Sequence, residues 1–538
     1  MKANDITDRV PRDLAISRDI GFAVPERYNA SEILFDNLAA GRGGKTAIYA
    51  NSGNATYQEL CDTACRVGSA LAGQGLTPFS RILMLLDDTP AYPAAIFGAM
   101  RAGFVPVLIN TLSPPDLIQY YLEDSGAPVA LVESALAHLL TPETIAGTGL
   151  QTVIVVNGDA KPDADVKSLH WDGWLAGQAA ELEPADTGRD DMAFWMYSSG
   201  STGRPKGIVH LHHDMAYTHD SYAQEILKLG EDDICFSPPK IFFAYGFGNS
   251  ITFPFAVGAS AVLNAGRPES VGVFACIERY RPTILFGLPT LYNALLNHER
   301  SAEADLGSVR LCISAAETLS NELFNAWQNR FGLDIIEGLG STEVLHIYLS
   351  NAPGAFKVGA AGRPVQGYEM ELRNDAGQPI KPDEPGVLWV RGDSNAPCYW
   401  NKADKTAETM RDGWIYTGDR FETDDDGYYY FRGRADDLIK VSGQWVYPLE
   451  IELCLADHPA VKECAVLGVE LSDKLMTTRA FIATAEGHAP GDALTQELKV
   501  YAQSNLLPHK YARTVVYLDA LPKTGSGKID RQALREES

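Results

Sequence analysis

The sequence predicts an α/β protein, with a large N-terminal region of αβ-layered subdomains, a small β unit closing that region, and a small α+β domain at the C-terminus. Three observations carry this prediction. Short apolar runs alternate with helical stretches over the first third of the chain, the texture changes to alternating segments and turns between Gly367 and Gly433, and strand–helix alternation returns after about residue 435.

The N-terminal pattern starts at Arg81 with ILMLL (82–86), an Ala-rich helical stretch (93–103), VPVLIN (105–110) and DLIQYYLED. Leu117, Tyr120, Tyr121 and Asp124 have helical spacing, Gly126 suits a helix end, and VALV (129–132) and QTVIVV (151–156) read as further strands. Nearly continuous apolar strands between helices predict a mainly parallel sheet covered on both faces. In the middle unit VLWVRGD (387–393) and ETDDDGYYYFRGR (422–434) read as antiparallel strands, and Asp426-Gly427 reads as a hairpin turn rather than half of a calcium loop. The last hundred residues offer a helix near 449–456, strands at 465–469, 479–484 and 515–518, and a helix near 494–507.

With 538 residues, 45% hydrophobic and 21% charged, the composition is globular and suits about two to four folding units. The net charge is −25, from 70 acidic and 45 basic residues, which argues against nucleic-acid and anionic-membrane partners. A polyanionic substrate must then be held by local backbone amides and a few placed cations. The eight cysteines include no C-x-x-C pair and read as reduced thiols. MKANDITDRVPRDL has no apolar signal core, and no 18-residue apolar run follows, so a cytoplasmic enzyme is expected.

SSGSTGRPKG (198–207) follows the apolar-aromatic segment MAFWMY. Its three glycines let backbone approach a phosphate chain, and Ser198, Ser199, Ser201, Thr202 and Lys206 supply donors beside the amides of Gly200 and Gly203. The alternative is a Gly/Ser surface loop. It is not a Walker A loop, since Pro205 precedes Lys206 and Gly207 follows it.

This segment resembles the signature loop of the adenylate-forming superfamily, which contains acyl-CoA synthetases, adenylation domains of peptide synthetases and luciferases. EGLGSTEVLHIYLSN (337–351), TGD (417–419), GRADDLIKVSGQWVYPLEIE (433–452) and LPKTGSGKIDR (521–531) resemble the superfamily's further motifs, in order and over nearly the whole chain. The resemblance implies ATP, Mg²⁺ and coenzyme A, a carboxylate attack that makes acyl-AMP and pyrophosphate, and a thiol attack that makes the thioester and AMP. It places Mg²⁺ on Glu343, the α-phosphate on Thr342, the ribose on Asp419 with Arg434, and adenine between Ala316–Glu317 and Gly338–Leu339. Lys528 is implied to stabilise charge as the acyl-adenylate forms.

The same resemblance implies a large domain over 1–435 and a small mobile domain over 436–538, hinged at Asp436, with Lys440, Ser442 and Gly443 bordering the thiol tunnel. IFFAYGFGNSITFPFAVGAS (241–260) and VLHIYLSN are most similar to benzoate-CoA ligases and their hydroxybenzoate relatives. On that likeness Phe243, Ala244, Tyr245, Gly246, Gly340, His346 and Ile347 line the acid pocket. Leu339 stands where many relatives carry Tyr, Phe247 where Leu is common, Val344 where Met is common, and Ala316 where Gly is usual. The implied acid is aromatic and benzoate-like. The alternatives are a hydroxybenzoate, aminobenzoate or non-aromatic acid, loading of a carrier protein, and a non-catalytic nucleotide-binding protein. A homodimer is in keeping with family habit.

Overall fold

The computed structural model describes residues 23–198, 204–374, 376–381, 384–435, 437, 439–441, 444–470, 476–507, 510–523 and 529–536. These fall into two compact units: residues through Met370 with Val390–Ile415, and Glu371–Trp389 with everything from Tyr416 onward.

Two sheets build the first unit. A seven-stranded sheet has the order Lys167–His170, Thr152–Val156, Val129–Glu133, Arg81–Leu85, Val105–Leu108, Met192–Ser198, Lys206–Leu211. Its pairs are parallel up to Met192–Ser198, which turns back antiparallel onto Lys206–Leu211. Thr152–Val156 and Val105–Leu108 are buried at every residue, which is why they read as continuous apolar runs rather than alternating ones. A nine-stranded sheet runs from Arg363–Pro364 through Ile347–Ser350, Ile335–Gly340, Leu311–Ser314, Ile284–Gly287, Ile234–Phe236, Ser260–Leu263 and Thr46–Ala50 to Ala55–Thr56. Its interior pairs are parallel and its ends antiparallel.

Local chemistry starts and stops the helices as the sequence suggests. Helix Pro115–Ser125 begins with Pro at a position that needs no N–H donor and ends at Gly126, whose φ of 60° lets its N–H reach the Leu122 carbonyl. Helix Tyr57–Ala72 is closed by a reciprocal Thr56–Glu59 capping box. It lies close against helix Ala91–Arg101: a Cβ on Gly98 would sit 2.4 Å from the Ala64 carbonyl, and one on Gly68 2.8 Å from the Gly98 carbonyl. The buried faces of both helices join one apolar cluster with Phe97, Phe194, Phe247 and Phe255.

The expected alternating strands form as Glu369–Arg373, Gly386–Arg391 and the hairpin of Trp414–Thr423 with Tyr429–Arg434. Its turn is closed by Asp424, whose Oδ1 accepts the N–H groups of Asp426 and Tyr428, and Gly427 takes φ 79°. The second unit also carries the pair Ile439–Val441 and Gln444–Val446, and a sheet of Val461–Glu470, Met476–Thr484 and Thr514–Tyr517. Around that sheet lie helices Pro448–Ala456, Asp492–Asn505 and Arg531–Glu536. The boundary expected between 435 and 436 therefore lies inside the second compact unit, which gathers the hairpin with the C-terminal sheet. Among the described residues no helix is long and apolar enough to cross a membrane.

Candidate active site

The Gly/Ser segment is flanked by two antiparallel strands. Ser198 pairs with Lys206 at the head of strands Met192–Ser198 and Lys206–Leu211, so both stems of the loop are tied into the seven-stranded sheet. Ser199, Gly200, Ser201, Thr202 and Gly203 lie outside the described residues. The stem is held from outside: the Tyr120 hydroxyl donates to the Pro205 carbonyl at 2.7 Å, the Trp400 backbone N–H to the Gly207 carbonyl at 2.8 Å, and the Tyr197 hydroxyl to Asp124 at 2.8 Å.

The turn after strand Ile335–Gly340 carries Thr342 and Glu343 in a short 3₁₀ helix, Thr342–Val344. Leu345 then takes φ 70°, a left-handed conformation unusual for a non-glycine residue. Contacts from distant segments over-determine the turn. The Thr342 carbonyl accepts the Leu345 N–H at 3.1 Å and faces His210 Nε2 at 2.8 Å, so Nε2 is the donor there. His210 Nδ1 lies 2.8 Å from Asp214 Oδ2, and both side chains are fully buried. The Glu343 carbonyl accepts the Ala396 N–H at 2.7 Å, the Val344 carbonyl the Ser394 hydroxyl at 2.8 Å, and the Glu343 carboxylate the Tyr399 hydroxyl at 2.8 Å. Lys206 lies over the same tyrosine, its Nζ 4.3 Å from the ring centre. Next to His210, His213 sits between the backbone carbonyls of Arg189 and Asp393. Burial opposes its charge, but Asp190, Asp214 and Asp393 outweigh burial and raise His213 to about 9.

Seven residues join this charged turn to an aromatic wall. Gly340 pairs with Ile347 across strands Ile335–Gly340 and Ile347–Ser350, and a Cβ on Gly340 would sit 2.4 Å from the His346 carbonyl. His346 is buried among Tyr222, Tyr245 and Phe253, with ring centres 5.3, 5.7 and 4.5 Å away. Burial pushes it down to about 3, so the ring is neutral; its Nε2 lies 3.4 Å from the Tyr245 carbonyl. Nδ1 is buried with no hydrogen-bond partner among the described residues. Tyr245 extends to the Ile313 carbonyl at 3.3 Å and meets Phe286 edge-on. Gly246 must be glycine, because a Cβ would fall 2.1 Å from the Lys240 carbonyl. The structure thus brings Tyr245, Gly340, His346 and Ile347 together, with Ala244 and Gly246 on the same short helix, Ala244–Phe247, and Phe243 just before it. Phe247 turns away into the core and stacks on Phe194 at 4.7 Å.

Ala316 follows strand Leu311–Ser314 with φ 70°, a conformation in which glycine carries no Cβ penalty. Glu317 accepts the Thr290 N–H at 3.3 Å. Gly338 and Leu339 lie on strand Ile335–Gly340, which begins beside Glu337, a carboxyl that burial pushes up to about 8 and whose Oε1 accepts the Leu319 N–H at 3.2 Å.

In the second unit Asp419 and Arg434 face each other across the hairpin, joined by Arg434 Nη1 to Asp419 Oδ1 at 3.0 Å. Asp436, Ser442, Gly443 and Lys528 lie outside the described residues, and Lys440 is described for its backbone alone. The stems of the lysine loop are anchored: Lys523 bridges to Ile529, and Arg531 enters a half-buried ion pair with Glu452 at 2.8 Å.

Glu343 suits a magnesium ion. It is an oxygen donor whose partner among the described residues is the Tyr399 hydroxyl rather than a cation. His210, Asp214, Tyr399 and Glu337 are the residues that motif reading missed. His210, Asp214 and Glu337 each lie within a few residues of a motif or inside one, and their partners are set by packing rather than spacing.

The model of the AMP-binding enzyme family matches residues 35–400, and that of the AMP-binding enzyme C-terminal domain matches 450–528. A benzoate–CoA ligase of Thauera aromatica is 44% identical over 516 residues, covering 95% of this chain and 96% of that protein. The crystal structure of a benzoate CoA ligase from Burkholderia xenovorans LB400 superposes with TM-score 0.87 at 41% identity, covering 94% of this chain and 100% of that one. The crystal structure of an anthranilate CoA ligase in complex with anthranoyl-AMP superposes with TM-score 0.90 at 36% identity, covering 100% and 99%.

Proposed function

This chain belongs to the AMP-binding enzyme family, and we propose that it joins benzoate or a closely related aromatic acid to coenzyme A with ATP, through an acyl-adenylate. One observation carries the reading: the stretch Glu343 to His346 has at one end a carboxylate whose partner among the described residues is a hydroxyl rather than a cation, and at the other a neutral imidazole among aromatic rings. The geometry suits an acid whose ring lies on the wall while its carboxylate faces the phosphate end.

The acid's carboxylate oxygen attacks the α-phosphorus and pyrophosphate leaves; the CoA sulfur then attacks the acyl carbon, and AMP leaves. The mixed anhydride is already activated, so the enzyme's work is positioning and charge neutralisation. Thr342 donates to the α-phosphate, Lys206 and the loop amides receive the other phosphates, and Asp419 accepts the ribose hydroxyls while Arg434 steadies it. Glu343 would hold Mg²⁺, which neutralises phosphate charge when bound. Lys528 stabilises charge in the first half-reaction. A swing about Asp436 then brings Lys440, Ser442 and Gly443 to the thiol. We further place the enzyme in the cytoplasm, where ATP and CoA are available, as a homodimer.

The unpartnered His346 Nδ1 favours a second reading, because a hydroxyl or amino group on the ring would supply its missing donor. Steady-state AMP release over a panel of benzoate, hydroxybenzoates, aminobenzoates and alkanoates, with ATP, Mg²⁺ and CoA, tests both. Benzoate is expected to have the highest kcat/KM. A higher value for a ring-substituted acid selects the second reading, and preference for an alkanoate, or for a carrier protein over CoA, overturns both.

A further inference from the structure

Tyr399 stands between two groups of opposite charge. It is 3% exposed, its hydroxyl donates to Glu343 Oε1 at 2.8 Å, and its ring face carries the Lys206 ammonium at 4.3 Å. The segment around it is bonded to both neighbours. Tyr399 forms a bridge with Ile208, the Trp400 N–H reaches the Gly207 carbonyl, and the Ala396 N–H reaches the Glu343 carbonyl.

An ammonium and a carboxylate this near a common side chain have a stronger alternative, which is to pair directly. Paired, each would neutralise the other and present less charge to a metal-bound nucleotide. A phenol prevents this by offering each group a weaker partner: a quadrupole for the cation and a neutral hydroxyl for the anion. Both charges stay oriented yet remain available.

We propose that Tyr399 is a positioning residue that holds Lys206 and Glu343 apart and preforms the magnesium–triphosphate site. The proposal rests on the reading of Glu343 as the cation-holding carboxylate. Tyr399→Phe removes the hydroxyl and keeps the ring beneath Lys206; Tyr399→Leu removes both contacts and frees the two charges to pair.

The test measures Mn²⁺ binding by electron paramagnetic resonance, using the full chain saturated with a non-hydrolysable ATP analogue, and separately the affinity for that analogue without metal. Tyr399→Phe is expected to weaken Mn²⁺ binding about tenfold, roughly 1.4 kcal/mol, with metal-free analogue affinity unchanged. Tyr399→Leu is expected to weaken both about tenfold, and in turnover the loss should appear in the KM for Mg·ATP more than in kcat. Glu343→Gln provides the separating arm. If it binds Mn²⁺ like the unmodified protein, the reading of Glu343 is wrong. If it loses Mn²⁺ while Tyr399→Phe does not, Tyr399 has no positioning role and the proposal is overturned. Should Tyr399→Leu not fold, the near-isosteric Phe variant decides the outcome.

Discussion

The proposed phosphate end and the proposed acid end of the candidate site lie within one stretch of chain, but they are built differently. At Thr342–Val344 the three backbone carbonyls and the Glu343 carboxylate each have a partner, drawn from His210, Ser394, Ala396 and Tyr399. At His346 the imidazole is neutral, one ring nitrogen has no partner among the described residues, and aromatic rings do the packing. A site that must stabilise developing charge gains from dipoles fixed in advance. A site that selects a ring gains mainly from shape, where one added group changes binding by only about 1–3 kcal/mol. The charged end is therefore rigidly specified and the acid end is free to vary.

The largest expected effect breaks the charged end. Lys528→Ala should lower acyl-adenylate formation by about 10³-fold, the scale of removing one group that stabilises transition-state charge. CoA attack on supplied acyl-AMP should be largely intact; equal loss in both half-reactions contradicts the role. At the acid end, His346→Leu should change kcat/KM for benzoate by no more than about tenfold and reorder the acid panel. The KM for ATP should hold, and a shift there as large as that for the acid would show that the two ends are not separable.

Glu337 lies under both ends, on the strand that carries Gly338 to Gly340. Burial raises its carboxyl to about 8 from an ordinary value near 4.5, so the folded chain binds the proton more tightly than the unfolded chain. The stabilisation is fully present below pH 4.5 and is lost as pH rises through 8. Glu337→Gln should remove that dependence, seen as a melting temperature that no longer falls by roughly 2–4 °C between pH 6 and pH 8.5. An unchanged slope would assign it to other groups. The smallest effect is expected after strand Leu311–Ser314: Ala316→Gly relieves a positive φ and should stabilise the chain by about 0.5–1 kcal/mol in denaturant unfolding, with little change in acid preference. Destabilisation would mean that the Ala316 methyl packs usefully.

Much of the architecture was legible because it is written locally. Buried parallel strands must be apolar at every position, so 105–110, 129–132 and 151–156 announced themselves, and Gly126 and Asp426-Gly427 marked ends and turns by backbone freedom. Phe247 was less transparent. It sits in the pocket segment by sequence, but the helix Ala244–Phe247 turns it onto Phe194 in the core. The division into compact units was also hidden, because the 416–434 hairpin is continuous with the preceding strands in sequence texture yet gathers with the C-terminal sheet.

The amino-acid sequence by itself determined the α/β class, and the resemblance of its ordered motifs to the adenylate-forming superfamily implied the chemistry. Only the tertiary structure decided what holds them. Tyr399 reaches Glu343 across 56 positions and His210 reaches Thr342 across 132. Such meetings are set by how strands stack into sheets, and no local spacing or propensity encodes them.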